Sequence, residues 1–239
     1  MDHVVSRAME DAMTLAEGGV AGLLVENFGD VPFFPGRVPP ETIAAMAVAV
    51  SEISRWSSLP VGVNVLRNDA ESALAIAACT GAGFVRVNVH TGVMFTDQGL
   101  VQGRAGPTLR KRAALESTVA ILADIMVKHS TPPFGLTLET AAKDAWFRGM
   151  ADGLILTGNE TGEPVEAEDL QRARKVLPHE SKLWVGSGAT AENIANLIEM
   201  ADGFIVGSAF QVGGVAGSRV DPDRVAAFME VYGRRGNAT

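Results

Sequence analysis

The sequence predicts an α/β protein of the TIM or (β/α)8-barrel type, lacking the first of its eight β-strands. Three observations lead there. Seven short runs are continuously apolar, as suits parallel strands covered on both faces. Amphipathic segments with helical spacing separate them, so strand and helix alternate in register. The runs are of two types in strict alternation, and the series opens on the type that belongs at even positions.

Taken in order, Met1 to Gly18 puts Val4, Val5, Ala8, Met9, Ala12 and Leu15 on one stripe and reads as a helix. An Ala21-Gly22 lead-in then opens the run Leu23-Leu24-Val25-Glu26. Pro40 to Arg55 spaces Ile43, Met46, Val50 and Ile53 by three and four residues, which is again helical. Pro60 to Val65 is a strand without the lead-in, and Ala70 to Thr80 is the helix behind it. Ala82-Gly83 leads into Phe84 to Asn88. The stretch from Val89 to Thr108 is too long for a plain connection and reads as a lid with Gly103 and Gly106 as hinges. Arg110, Lys111 and Arg112 after it suit a solvated helix face better than an anion site. Val119 to Ile125 is the next strand, Leu138 to Arg148 a helix, and Ala151-Asp152-Gly153 leads into Leu154 to Thr157. Ala167 to Val176 is helical, Lys182 to Val185 a strand, and Ala191 to Met200 a helix capped by Thr190. Ala201-Asp202-Gly203 opens the last run, and Asp221 before Pro222 starts the final helix as N-cap and first-turn proline.

Parallel strands joined by helices either close into a barrel or spread as an open, doubly wound sheet. The alternation of types favours the barrel and places an odd-type strand ahead of the first helix, so the chain as it begins is expected to lack that strand. Residues 1–239 then form one domain, a size α/β barrels use routinely.

Composition excludes several functions. The net charge of −8 argues against a nucleic-acid partner, because phosphate backbones are bound by clustered cations. The longest apolar run, Ile43 to Val50, is far below the roughly 20 residues of a membrane span. Met1-Asp2-His3 begins no signal peptide, and one cysteine, Cys79, forms no internal disulfide, so the expected location is cytoplasmic.

Barrels work at the C-terminal ends of their strands, and the residues there are polar: Glu26, Asn27 and Asp30; Asn64, Arg67, Asn68 and Asp69; Asn88, His90 and Thr91; Asp124, Lys128 and His129; Thr157, Thr161 and Glu163; Ser187; Ser208. The sharpest signal is the pair Gly186-Ser187-Gly188 and Gly207-Ser208, which end the seventh and eighth strands of the inferred barrel. Main-chain N–H groups that only glycine lets approach closely, with two hydroxyls, suit a phosphate; tight turns alone would also use glycine. Asp124 and Lys128 are candidates for acid–base chemistry, with Glu26, Asn64 and Asn88 beside them at strand ends, and a structural ion pair is the competing reading. The four histidines show no paired spacing, so no protein-only metal site and no cofactor is expected; Mg²⁺ would enter only together with a substrate phosphate.

Several blocks resemble the BtpA/SgcQ family: Glu26-Asn27-Phe28-Gly29-Asp30-Val31-Pro32-Phe33, Gly62 to Asp69, Arg86-Val87-Asn88-Val89, Thr96-Asp97-Gln98-Gly99, Asp124 with Val127-Lys128-His129, Thr161-Gly162-Glu163-Pro164 and Val185-Gly186-Ser187-Gly188. The resemblance implies a TIM barrel related to the ribulose-phosphate-binding group. Its members include a photosystem I biogenesis factor and proteins in sugar-operon settings, so it implies either a small phosphorylated metabolite, a sugar phosphate or nucleotide, as partner, or a non-catalytic assembly and stability factor. Members usually begin with a strand ending in a His-Leu-x-Pro-Leu-Pro-Gly type segment that has no counterpart here, in line with the strand count. An unclosed barrel would leave two strand edges open to pairing with another subunit, a homo-oligomer.

Overall fold

The computed structural model describes residues 1–158 and 164–236. In chain order the elements begin with α1 (Asp2–Glu17), β1 (Leu23–Glu26), α2 (Pro40–Trp56), β2 (Val61–Asn64), α3 (Ala70–Thr80) and β3 (Phe84–Val87). They continue with β4 (Val93–Thr96), β5 (Gly99–Gln102), α4 (Ala105–Ala114), β6 (Ala120–Asp124), β7 (Ser130–Thr131) and α5 (Leu138–Lys143), the last running on as a π-turn over Asp144–Arg148. β8 (Gly153–Leu156), α6 (Ala167–Val176), β9 (Leu183–Val185), β10 (Gly203–Phe204) and α7 (Pro222–Gly236) complete them.

The main sheet has the order β1-β2-β3-β6-β8-β9-β10, with every neighbouring pair parallel. That order follows the chain without reversal. A doubly wound sheet needs a point where strand order turns back, so the doubly wound alternative is ruled out. Seven strands wound one way give a curled sheet with its helices outside. β1 and β10 are its edges, and among the described residues no strand joins them. Helix α1 braces the gap from outside: Val220 N–H donates to Asp11 Oδ1 at 3.0 Å, Arg7 donates to the Gly217 carbonyl, and Arg219 pairs with Glu10.

Packing follows from the apolar strands. Val63, Val85, Ile121, Leu154 and Leu183 are wholly buried, the first three with α2 and α3 and the others with α5 and α6. Helix α3 shows why its sequence folds as it does. Asp69 accepts from the Ser72 amide at 3.1 Å and its hydroxyl at 2.7 Å, and Gly81 ends the helix at φ 78°, a conformation that favours glycine. No helix among the described residues is long and apolar enough to cross a membrane.

Two expectations are corrected. The stretch after β3 is a β-hairpin, β4 with β5, widened by β7 into a small antiparallel sheet. Met94, Val101 and Val127 bury against it, so it is a packed element. Gly103 is no hinge: a Cβ there would lie 2.6 Å from the Thr91 backbone, and Gly106 sits inside α4. The second correction is the helix at Ala191 to Met200, where only a 3₁₀ turn at Ile194–Asn196 forms. The backbone there mixes three-residue bonds, Asn196 to Asn193 and Leu197 to Ile194, with four-residue ones such as Ile198 to Ile194. Asn193 holds its start by accepting from the Thr190 amide at 2.9 Å and donating to the Gly188 carbonyl at 2.7 Å.

Candidate functional site

Arg86 stands at the centre. Successive side chains of a strand face opposite ways, and Arg86 turns inward from β3, where it is 4% exposed. Its Nε and Nη2 donate to Asp124 Oδ1 and Oδ2 at 3.0 and 3.1 Å, a two-pronged pairing with the next strand. Nη1 lies 3.5 Å from Glu26 Oε1 on β1. Gly186 follows β9, and a Cβ there would fall 3.4 Å from Arg86 Nη2 and 2.3 Å from Ile155 Cγ2. The guanidinium thus reaches across to the Gly186 backbone, and the missing side chain at Gly186 makes room for Ile155. Burial opposes its charge, but Asp124 and Glu26 together hold its pKa above the ordinary arginine value.

Amides complete this network. Asn64 Nδ2 donates to Glu26 Oε1 at 3.0 Å, and these two residues are register partners across β1 and β2. Asn88 Nδ2 donates to Asp124 Oδ2 at 2.8 Å, so Asp124 accepts three bonds on a fully buried side chain. Lys128, in the connection from β6 to β7, is held through its carbonyl, which accepts from Arg67 Nη2 at 2.5 Å. Its amine forms no hydrogen bond or ion pair with a described residue. Burial first, and then the nearby Arg86, push the Lys128 pKa below the ordinary lysine range; burial does the same to Arg67.

The glycine-serine corners come together above this group. Gly186 N–H closes the ladder onto the Leu156 carbonyl at 2.8 Å, and Gly188 turns at φ 68°. Gly207 accepts from the Phe210 amide at 3.0 Å, but the N–H groups of Gly207 and Ser208 donate to no described residue. Gly186, Ser187, Gly188, Gly207 and Ser208 line one cleft of about 320 Å³ with Glu26, Arg86 and Lys128. Arg67, Arg86 and Lys128 stand here with the carboxylates of Glu26 and Asp124, and Asp11 also lines the cleft.

The remaining rim residues divide differently. Asn27 clasps Leu66, Asn68 clasps Val89, Asp69 caps α3, and Thr157 donates to the Met126 carbonyl at 2.8 Å. These hold loops in place. Thr161 and Glu163 lie outside the described residues. Arg112 pairs with Asp152 at 2.5 Å, away from the cleft. Arg67 stands at the rim as the sequence placed it, whereas the central role of Arg86 was not apparent from the sequence. The signal was present: an arginine inside Phe84-Val85-Arg86-Val87 must face either solvent or a buried anion, and Asp124 closes an equally apolar strand.

His90 is buried, with Nε2 2.8 Å from the Gly149 carbonyl and Nδ1 without a partner. Burial, the largest influence, holds its pKa below 6.5. The unfolded chain therefore takes up a proton that the folded state refuses, and stability is lost as pH falls through about 6.5, by at most about 1.4 kcal/mol per unit. Urea unfolding between about pH 7.5 and 5.5 should show a shallower pH slope for His90→Asn than for the parent; equal slopes would contradict this assignment.

Comparison with known proteins fits this geometry. A solved phosphoribosyl anthranilate isomerase of Thermus thermophilus superposes with a TM-score of 0.61 at 13% identity, over 95% of this chain and 94% of that one. Thiamine phosphate pyrophosphorylase of Pyrococcus furiosus gives 0.62 at 12% identity, over 94% and 89%. At such identities the likeness shows the fold, a barrel-type curled sheet. The photosystem I biogenesis protein BtpA of Synechocystis sp. is 50% identical over 95% of this chain and 79% of that protein, and an uncharacterized protein of Thermococcus kodakarensis is 41% identical over 96% and 86%. The family model for BtpA matches residues 1–234, and with these relatives it shows that the chain belongs to the BtpA family.

Proposed function

We propose that the chain binds a small phosphorylated metabolite, a sugar phosphate or a nucleotide, at the C-terminal rim of the curled sheet, and acts on it chemically. In this reading Gly186, Ser187, Gly188, Gly207 and Ser208 take the phosphate, while Lys128 and Glu26 face the reacting part. Asn64 holds Glu26, and Asp124 with Asn88 holds Arg86. The observation that carries the reading is that the uncommitted amides of Gly207 and Ser208 share a cleft with the Gly188 corner, Arg86 and Lys128. Preorganised amides suit an anion far better than a neutral ligand. Names of the solved neighbours, for phosphoribosyl anthranilate and thiamine phosphate, lend further support.

A second reading rests on the half-identical Synechocystis protein, whose name assigns it to photosystem I biogenesis. There the same rim would serve an assembly or stability factor without turnover. Thermal unfolding with sugar phosphates and nucleotides beside their dephosphorylated forms separates the two. The first reading expects stabilisation of about 2.7 kcal/mol at a hundredfold excess over the dissociation constant, for phosphorylated ligands only. No shift with any of them favours the second.

A further inference from the structure

We infer that Lys128 is a nucleophile that forms an iminium with the carbonyl carbon of a phosphorylated aldehyde or ketone. The inference rests on the phosphate-binding reading above and names the substrate class within it: an open-chain sugar phosphate rather than a nucleotide.

Three observations lead to it. Lys128 is the one lysine lining the cleft that holds Glu26, Arg86 and the two glycine-serine corners. Its amine forms no ion pair among the described residues, while its carbonyl is fixed by Arg67 at 2.5 Å, so the loop presents the side chain without using it structurally. Its charged neighbours include two arginines, and Arg86 is kept cationic by Asp124 and Glu26. A lysine needed only as a positive charge gains little beside such cations. Desolvation and adjacent fixed positive charge favour the neutral, nucleophilic form of an amine. The lowered pKa of Lys128 agrees.

The chemistry balances with groups in the cleft. The Nζ lone pair adds to the carbonyl carbon, and the π pair moves to oxygen. A proton passes from nitrogen to that oxygen, giving a neutral carbinolamine. Glu26 relays a proton from solvent to the hydroxyl, which leaves as water, and the nitrogen lone pair closes the C=N bond. The products are an iminium cation, a Glu26 carboxylate and one water. Glu26 is suited to this because Asn64 orients it, and its side chain, unlike the fully buried Asp124, is 25% exposed. The carbon next to an iminium is acidified, so the reactions open to this site are proton transfer or carbon–carbon bond change beside a carbonyl.

Borohydride traps the intermediate, because hydride adds to the iminium carbon and leaves a stable secondary amine. The full chain is incubated with triose, pentose and hexose phosphates, each with and without borohydride, followed by peptide mapping of its five lysines. At least one sugar phosphate should label Lys128 tenfold more than any other lysine, with borohydride required and the dephosphorylated sugar inactive. Lys128→Arg, which keeps the charge but not the nucleophile, should lose the label at this position. Sugar phosphates that raise the thermal midpoint of the parent protein yet leave Lys128 unlabelled would overturn the inference and leave the phosphate reading standing. Neither label nor thermal shift with any of them would overturn both.

Discussion

Replacing Arg86 by methionine should lower the stability of the fold by about 3 to 5 kcal/mol, the usual loss when one partner of a buried ion pair is removed. Asp124 would keep only the Asn88 donor on a side chain with no exposure to water. Such a carboxyl must take up a proton to stay buried, so its folded pKa rises above the unfolded one. The folded variant then binds more protons than its unfolded chain, and part of the lost stability returns as pH falls. The double variant Arg86→Met/Asp124→Leu removes both charges and should recover much of the loss, because a buried pair as a unit is worth little more than well-packed apolar groups. Urea unfolding of the three proteins checks this. A loss below about 1 kcal/mol for Arg86→Met, or a double variant less stable than the single, would show that the pair is not the structural centre described here.

Ser208→Glu should weaken binding of a phosphate ester by about a hundredfold or more. The corner lines the cleft with its amide uncommitted, and a carboxylate placed there meets the ligand charge in a partly desolvated setting. Like-charge juxtaposition of this kind costs several kcal/mol. The side chain lies at a rim and outside the apolar clusters, so unfolding of the unliganded protein should change by no more than about 0.5 kcal/mol. Ser208→Ala removes one hydroxyl and leaves the amides, which sets its expected loss near the 0.5–1.5 kcal/mol typical of one hydrogen bond. Calorimetric titration of both variants checks this: a main-chain cradle leaves Ser208→Ala close to the parent, and a loss with Ser208→Ala as large as that with Ser208→Glu would assign the binding to the hydroxyl.

The sheet was legible because a parallel strand covered on both faces has no reason to carry polar residues. Runs such as Leu154 to Leu156 and Val61 to Val63 therefore announced themselves, and the two alternating types gave their order. Helices with a cap and a glycine stop, α3 above all, were legible for the same local reasons. The β4–β5 hairpin was missed although Val93-Met94-Phe95-Thr96 and Leu100-Val101 flank a turn ending in Gly99. Its weight was lost in the length of the stretch, and its core of Met94, Val101 and Val127 depends on a segment far along the chain. At Ala191 to Met200 the apolar spacing was right, but the backbone bonds mix three- and four-residue steps, which apolar spacing does not report. At the site, the residue types at strand ends were readable one at a time. What spacing could not supply was the crossing of the interior by Arg86, from Asp124 and Glu26 to the bare face of Gly186. That contact joins four strands and exists only once the sheet has curled.

The most direct measurement is a crystal structure of the protein with a bound sugar phosphate. The expected result places phosphate oxygens about 2.7 to 3.2 Å from the amide nitrogens of Gly207 and Ser208, with the sugar directed toward Lys128 and Glu26. A phosphate held instead in the cleft between Arg37 and Arg104 beside the start of α3, with both corners unvisited, would contradict the account.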